Sequence, residues 1–311
     1  MASLNPAQSA RLLRLATVAS VATATLLIIG KLGAWLLTGS VSVLASLADS
    51  MMDAAASLLN LLAVRYSLMP PDEEHRFGHG KAEPLAGLGQ ATFITGSALF
   101  LILHAVDRLL HPQPIADIAV GIIVMLFAIG LTLVLLAIQH HVIRRTGSTA
   151  IRADSLHYAS DVLTNLSTIA ALLLAALGWP GLDPLFGIAI AVYILYSAWR
   201  IGYEAVQLLL DRELPAEEQR RIEQIALRHA QVRGIHDLRT RRSGQSYIIQ
   251  LHLELDPEQP FVAAHNTAAT VEGALKQAFP NADVIIHQDP LGADEHDPRA
   301  GIPDTPAPSS R

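Results

Sequence analysis

Six apolar stretches, at about 12–37, 40–68, 84–110, 115–142, 149–177 and 183–209, follow one another along the 311-residue chain with short polar connections between them. A bilayer core takes roughly 20 apolar residues per helical span, so each stretch is long enough to cross. Inside lipid every backbone N–H and C=O must be satisfied within the segment, which leaves the helix as the fold of such a run. The pattern predicts an α-helical membrane protein with six transmembrane helices. Composition agrees, since 51% of residues are hydrophobic and only 16% charged, outside the usual range of soluble domains. The first run is too long for a signal peptide and lacks a small-residue cleavage site, so it is expected to be a retained helix. After residue 210 the character changes. The expected organisation is a transmembrane domain over 1–210, a water-soluble domain over 211–291, and a tail over 292–311, GADEHDPRAGIPDTPAPSSR, too poor in apolar residues to pack.

Short-loop positive charge sets the orientation of a membrane protein. Arg11 and Arg14 precede helix 1; Arg65, Arg76 and Lys81 surround the 2–3 connection; Arg144, Arg145 and Arg152 surround the 4–5 connection. The other side is nearly bare, with TGS and GWPGLDP turns and only Arg108 near the 3–4 turn. Both termini and the soluble domain are therefore expected in the cytoplasm. The net charge of −6 argues against nucleic acid as a partner.

Two carboxylates interrupt the second run, Asp49 and Asp53 in SLADSMMDAAASLLN. Counted from the outer turn at Gly39, they lie roughly 15 and 21 Å deep, near the bilayer middle. Four-residue spacing puts both on one helical face, where two negative charges in lipid demand compensation. Lys31 is the one cation in mid-membrane and cannot neutralise both. Helix 5 repeats the spacing with His157 and Asp161 in SLHYASDVLTN, and Asp161 lies about 25 Å from the outer side, within a turn of Asp53. Small neighbours, Ala48, Ser50, Ala54, Ala159 and Ser160, permit close approach of helices 2 and 5. Three carboxylates and one imidazole would then form an N/O site suited to tetrahedral zinc. The chain has no cysteine, so any metal must be held by His, Asp, Glu or backbone oxygen.

With D-x-x-x-D in the second helix, H-x-x-x-D in the fifth and a soluble domain after the sixth, the chain resembles the cation diffusion facilitator family, in particular its bacterial zinc and ferrous-iron efflux branch. The resemblance covers nearly the whole chain and extends to the 2–3 loop, PPDEEHRFGHGKAEPLAGLGQ. It implies a second metal site there, made by Asp72, His75 and His79; spacing alone would leave that loop a solvated polar segment. It also implies a homodimer, with Lys81 and Asp211 forming an interlock of helices 3 and 6 where the soluble domain joins. Without the family they are two solvated charges at the membrane edge.

The soluble segment is legible by its own periodicities. Pro215 followed by AEEQRRIEQIALRHA marks a helix start, with acids in the first turn and Ile222, Ile225 and Ala226 on one side. IHDLRTRRSGQSYIIQLHLELD alternates around Ser243-Gly244 as a hairpin would, with Tyr247, Ile249, Leu251, Leu253 and Leu255 on the core face and His252 on the other. A helix over about 261–278 and a strand DVIIHQD complete an α-β-β-α-β order, similar to the metallochaperone-like, ferredoxin-like cytoplasmic domain of the family. The strand puts His287 and Asp289 on one face. His236, His252, His265, His287 and Asp289 would be unremarkable surface polar residues in isolation; the resemblance implies a binuclear site in which Asp289 bridges. His104, His111, His140, His141, His229 and His296 match no motif and are expected at membrane edges or the surface.

Ligands must lose their protons to bind metal, so metal and protons compete at the membrane site. The expected function is a proton-coupled divalent-cation efflux antiporter of the bacterial inner membrane. It would work by alternating access and be regulated by cytoplasmic metal, with the lipid bilayer, divalent metal ions and protons as its other partners. His157 is the preferred coupling residue, an imidazole having an ordinary pKa of about 6.5. Imidazole with carboxylates favours Zn²⁺, with Fe²⁺ and Cd²⁺ open. Rival classes are weaker: no H-E-x-x-H, nucleophile elbow or phosphate loop marks an enzyme. Deep multidentate binding is too tight for a passive channel, and a metal-sensing receptor would show no directional flux.

Overall fold

A computed structural model of the chain describes residues 5–39, 41–110, 118–177 and 183–292. The expected tail, the 3–4 and 5–6 turns, His111, His296 and the side chain of Arg108 lie outside the described residues. Six long helices come first: α1 (Pro6–Thr38), α2 (Val41–Ser67), α3 (Ala82–Leu110), α4 (Ile118–Thr146), α5 (Thr149–Ala176) and α6 (Asp183–Leu209). Then follow α7 (Ala216–Leu227), β1 (Gly234–Ser243), β2 (Ser246–Leu255), α8 (Phe261–Ala278) and β3 (Ala282–Pro290), the strands in the sheet order β1-β2-β3. An α-helical membrane bundle and a small α/β unit are thus both present.

Local chemistry explains the helix ends. α1 opens on a capping box: the Asn5 side chain accepts from the Ala7 amide, Gln8 accepts from the Asn5 amide, and Pro6 takes a first-turn position where no donor is needed. It closes on Gly39 in the left-handed region. The α4–α5 turn is tight, with Gly147 at φ 63° and the Ser148 hydroxyl accepting from the Ile151 amide at 3.2 Å. Five of the helices combine the length and apolarity of a membrane span; α5 has the length, 28 residues, but Arg152, Asp154, His157 and Asp161 lower its apolarity.

The chain divides into two compact units, one of Met1–Glu213 with Arg241–Ile248, the other of Leu214–Thr240 with Ile249–Arg311. In the first, α1 packs on α2 and α4, α4 on α5, α5 on α3 and α6, and α3 on α6. Leu13, Ala16, Val64, Val142, Ala150 and Ile151 form one buried cluster among α1, α2, α4 and α5. The α3–α6 seam is built of small residues: Ala98 and Ala198 sit between Ile94 and Ile194, and a Cβ at Gly202 would touch Ala91. Such close backbone approach is how helices associate without a hydrophobic drive between them. Large apolar side chains such as Trp199, Phe100 and Leu37 are exposed, as lipid-facing surfaces require. One carboxylate is wholly buried. Asp154 accepts from the Ser20 hydroxyl at 2.5 Å, from Gln139 at 2.7 Å and from Gln90 at 3.2 Å, gathering α1, α4 and α3 around α5.

In the second unit, Ile249, Leu251, Leu253 and Leu255 are buried, as the alternation of β2 predicts; Tyr247, at the hairpin end of the strand and counted with the first unit, is only half-buried. α8 packs on β3 and α7. Its Val271 and Leu275 are buried, as are Ile222 and Ala226 of α7, with Ile225 half-buried.

Candidate metal centre

Helix geometry puts the membrane ligands together because α2 and α5 present their i, i+4 faces to each other. Asp53, His157 and Asp161 each offer a ligand atom, all within 4.8 Å of one another. His157 Nε2 lies 2.9 Å from Asp53 Oδ1, and both residues are buried, at 8% and 7% exposure. The imidazole is held edge-on by Phe93, and one residue on Tyr158 bonds Ser57 Oγ at 2.8 Å, pinning α5 to α2. Asp49 is not in that trio. It lies one turn along α2, exposed, and lines the same cavity of about 650 Å³ as Asp53, His157 and Asp161.

That cavity follows α3 from Thr92 to His104 and α5 from His157 to Thr164. Both directions lead from the trio toward the membrane face that carries the α1–α2 turn. His104, expected at an edge or surface with no role, therefore lines the same cavity, about 16 Å along α3 from the level of Phe93. Lys31 is also better placed than the sequence indicated. It lies within α1, is buried, and donates to Ser50 Oγ at 2.6 Å and the Ser46 carbonyl at 3.0 Å, which fixes its charge on the helix of Asp49 and Asp53. The available signal was the lysine itself: a cation in mid-span must find acceptors, and Ser46 and Ser50 are four apart on the helix opposite.

In the 2–3 loop, Asp72, His75 and His79 also bring ligand atoms within 4.8 Å. Asp72 Oδ2 is 3.2 Å from His79 Nε2, and Asp72 Oδ1 is 3.5 Å from His75 Nδ1. The His75 amide, and after it the Glu74 amide, hydrogen-bond Asp72 and hold its carboxyl below the usual carboxylate range. His79 is buried and packed edge-on against Tyr66, and its Nδ1 has no hydrogen-bond partner. The donor set of one carboxylate and two imidazoles fits a borderline cation.

The second unit holds a cluster of different make-up. Asp289 Oδ2 is 2.8 Å from His252 Nδ1 and 3.4 Å from His236 Nε2, while its Oδ1 is 3.1 Å from His287 Nε2. One carboxylate thus faces three imidazoles. Period-two alternation explains the His287–Asp289 pair, and the β1-β2-β3 order brings His236 and His252 to it. Glu254 and Asp237 join unannounced: Glu254 Oε1 is 3.1 Å from His236 Nδ1, and Asp237, itself held by Arg239, is 3.8 Å from His252 Nε2. A carboxylate on the far nitrogen of a ligating histidine orients it and raises its basicity. His265 is exposed on α8 and outside the trio of His236, His252 and Asp289 whose ligand atoms converge.

Lys81 Nζ and Asp211 Oδ1 are 2.9 Å apart, and Arg241, which sequence spacing did not single out, takes the other oxygen at 2.8 Å. Burial pulls the Asp211 carboxyl up, but the hydrogen bonds from Lys81 and Arg241 outweigh it and hold the group below its usual range. Asp211 itself adopts a left-handed φ of 59°.

A helical membrane bundle with acids and imidazole converging on an internal cavity, followed by a small unit with a carboxylate ringed by histidines, defines a membrane protein that handles metal cations. The description "Cation efflux transmembrane domain" matches residues 17–210, and "Cation efflux protein, cytoplasmic domain" matches residues 214–291. The chain is 54% identical over 280 residues to the cation-efflux pump FieF of Citrobacter koseri, covering 90% of this chain and 93% of that one. It is 53% identical over the same length, with the same coverage, to the pump of that name from Escherichia coli O139:H28. A solved metal-bound C-terminal domain of the CzcD transporter from Thermotoga maritima is 27% identical, covering 26% of this chain and all of that one at a TM-score of 0.25. The chain belongs to the cation efflux, or cation diffusion facilitator, family of multi-pass membrane transporters.

Proposed function

We propose that this protein exports a divalent metal cation, Zn²⁺ in the first place with Fe²⁺ and Cd²⁺ as further substrates, in exchange for protons by alternating access. The observation that carries this reading is the convergence of Asp53, His157 and Asp161 within 4.8 Å, in mid-helix, on a cavity that Asp49 also lines. Asp49 would complete the four-ligand set by turning its carboxylate inward from its exposed position. The mixed oxygen and imidazole donors favour zinc over the harder ions that all-oxygen sites select.

Metal reaches these ligands only when they are deprotonated. On the cytoplasmic side, metal displaces protons from Asp53, His157 and Asp161. With the cavity open toward the α1–α2 turn, protons from a more acidic medium take the same lone pairs and the metal leaves. His157, hydrogen-bonded to Asp53, is the group that most directly couples the two, and its titration is shared with the carboxylates.

In this proposal residues 1–210 form the transmembrane domain, 211–291 the cytoplasmic domain and 292–311 a tail, with both termini cytoplasmic at a bacterial inner membrane. The cytoplasmic domain senses metal at His236, His252, His287 and Asp289, with His265 as a further ligand, and joins two copies into a dimer. Dimerisation and sensing are supported by the match to the family's cytoplasmic domain and by the cluster on Asp289. The 2–3 loop holds its own ion at Asp72, His75 and His79. Lys81 and Asp211 lock helices 3 and 6.

The test is a stopped-flow flux assay on purified protein in vesicles, with Zn²⁺, Fe²⁺, Cd²⁺ and Mn²⁺ under an imposed pH gradient. Metal flux that rises with the gradient, together with counter-movement of protons, is the expected result. Flux indifferent to the gradient would remove the exchange step; single-channel currents would replace the carrier with a pore.

A further inference from the structure

A second cavity, of about 360 Å³, opens between α4, α5 and α6, lined by none of the residues that line the metal cavity. Its polar lining comes from His140 of α4, Arg152 and Ser155 of α5, and Ser197, Arg200 and Glu204 of α6. Arg152 is three residues from the start of α5 and Arg200 nine from the end of α6, about 4 and 14 Å along their axes from the same membrane face. Two guanidinium groups therefore share a pocket with one carboxylate. Glu204 pairs with Arg152 through Nη2, while the Arg152 Nε is closed off from solvent with no acceptor. Arg200 lies over the Tyr196 ring at 6.0 Å, a contact that leaves its N–H fork unspent.

The excess positive charge rules out an access route for a dication, which would be repelled at the mouth. It fits an anion. The rest of the wall narrows the choice, because Leu156, Ala159 and Tyr193 make it apolar and Tyr193 is exposed on the lipid-facing surface, where a small soluble anion gains nothing. Basic groups beside an apolar wall that opens on lipid suit a phospholipid, its phosphate on the guanidinium and its acyl chain along the wall. Basic pockets between spans on the cytoplasmic side are a recurrent way of holding anionic headgroups, and a guanidinium fork matches phosphate oxygens in paired hydrogen bonds.

We propose that this cavity is a binding site for the phosphate of an anionic phospholipid, held by the Arg200 guanidinium with the charge of Arg152 beside it. Bound there, a lipid bridges α6 to α5, the helix that supplies His157 and Asp161, without touching those ligands.

Native mass spectrometry of the full-length protein, supplied with equal amounts of phosphatidylglycerol and phosphatidylcholine, reads the site directly. The wild type is expected to retain phosphatidylglycerol preferentially. Arg200→Ala should retain about fivefold less, the factor expected for one arginine at an anionic headgroup, and Arg200→Lys should keep part of it. Ser197→Leu, which fills the cavity without removing charge, should lose the lipid too and guards against a folding defect in Arg200→Ala. Equal retention of both lipids, or unchanged phosphatidylglycerol in both the alanine and leucine variants, overturns the proposal. Displacement of the lipid by millimolar inorganic phosphate also overturns it, in favour of a soluble anion.

Discussion

The cluster in the bundle and the cluster in the α/β unit use the same two residue types, aspartate and histidine, in opposite proportion. In the bundle one imidazole meets two carboxylates, with a third on the cavity wall; in the α/β unit three imidazoles meet one shared carboxylate. Burial differs as well. The His157 side chain is 11% exposed, whereas the His287 side chain is 64% exposed. An acid-rich, buried set carries negative charge that only a cation or protons can offset, so it suits exchange of one for the other. An imidazole-rich, water-facing set binds without that charge debt, so it suits occupancy that follows cytoplasmic metal.

The sharpest way to break this comparison is to remove a ligand from each. Asp53→Ala is expected to abolish flux, a loss exceeding the ~100-fold seen when an outer-shell partner of a metal site is removed. The double variant His236→Ala/His252→Ala should keep basal flux and lose metal-dependent activation. Equal loss of flux in both would mean that the clusters do one job. Next in size is Glu254→Gln, which deprives His236 Nδ1 of its carboxylate. Metal affinity of the α/β unit should fall roughly 10–100-fold, read by calorimetry, with the bundle site unaltered. His157→Asp converts the membrane set to all oxygen and should shift competition binding toward harder ions such as Mn²⁺; unchanged relative affinities would deny the imidazole its selecting role.

The smallest effect concerns Asp211. Its folded-state carboxyl is held below the unfolded value by Lys81 and Arg241. The stabilisation is therefore fully present above the unfolded value of about 3.9 and is lost as pH falls through the depressed folded value. Asp211→Asn should flatten that acid limb of a thermal-melt profile while costing at most about 1 kcal/mol at neutral pH, because the pair is partly exposed.

Much of the architecture was legible because the two periodicities are strong. Apolar runs located the long helices to within about six residues, the largest miss being the start of α1 at Pro6, and α8 falls on Phe261–Ala278 as its pattern predicts. The i, i+4 spacing brought Asp53, His157 and Asp161 to one another. It could not say that Asp49 would stay apart, since a shared helical face spans a wide arc and leaves side-chain direction open. Nor does spacing report partners across the fold. Glu254 and Asp237 reach the histidines through strand neighbours, Arg241 reaches Asp211 through a hairpin tip, and Lys31 meets Ser50 from another helix. His104 and His140 looked idle because no motif contained them, yet each lines a cavity.

The Asp154 carboxylate has a bearing on where the bundle can part. Its shorter bonds run to Ser20 of α1 and Gln139 of α4, and its longest to Gln90 of α3. Prising α5 from α1 and α4 would strand that acid with two acceptor valences unmet in a medium without water, where each unmet polar group is severe. Letting go of Gln90 gives up a single link. The bonds to Asp154 thus tie α5 more firmly to α1 and α4 than to α3.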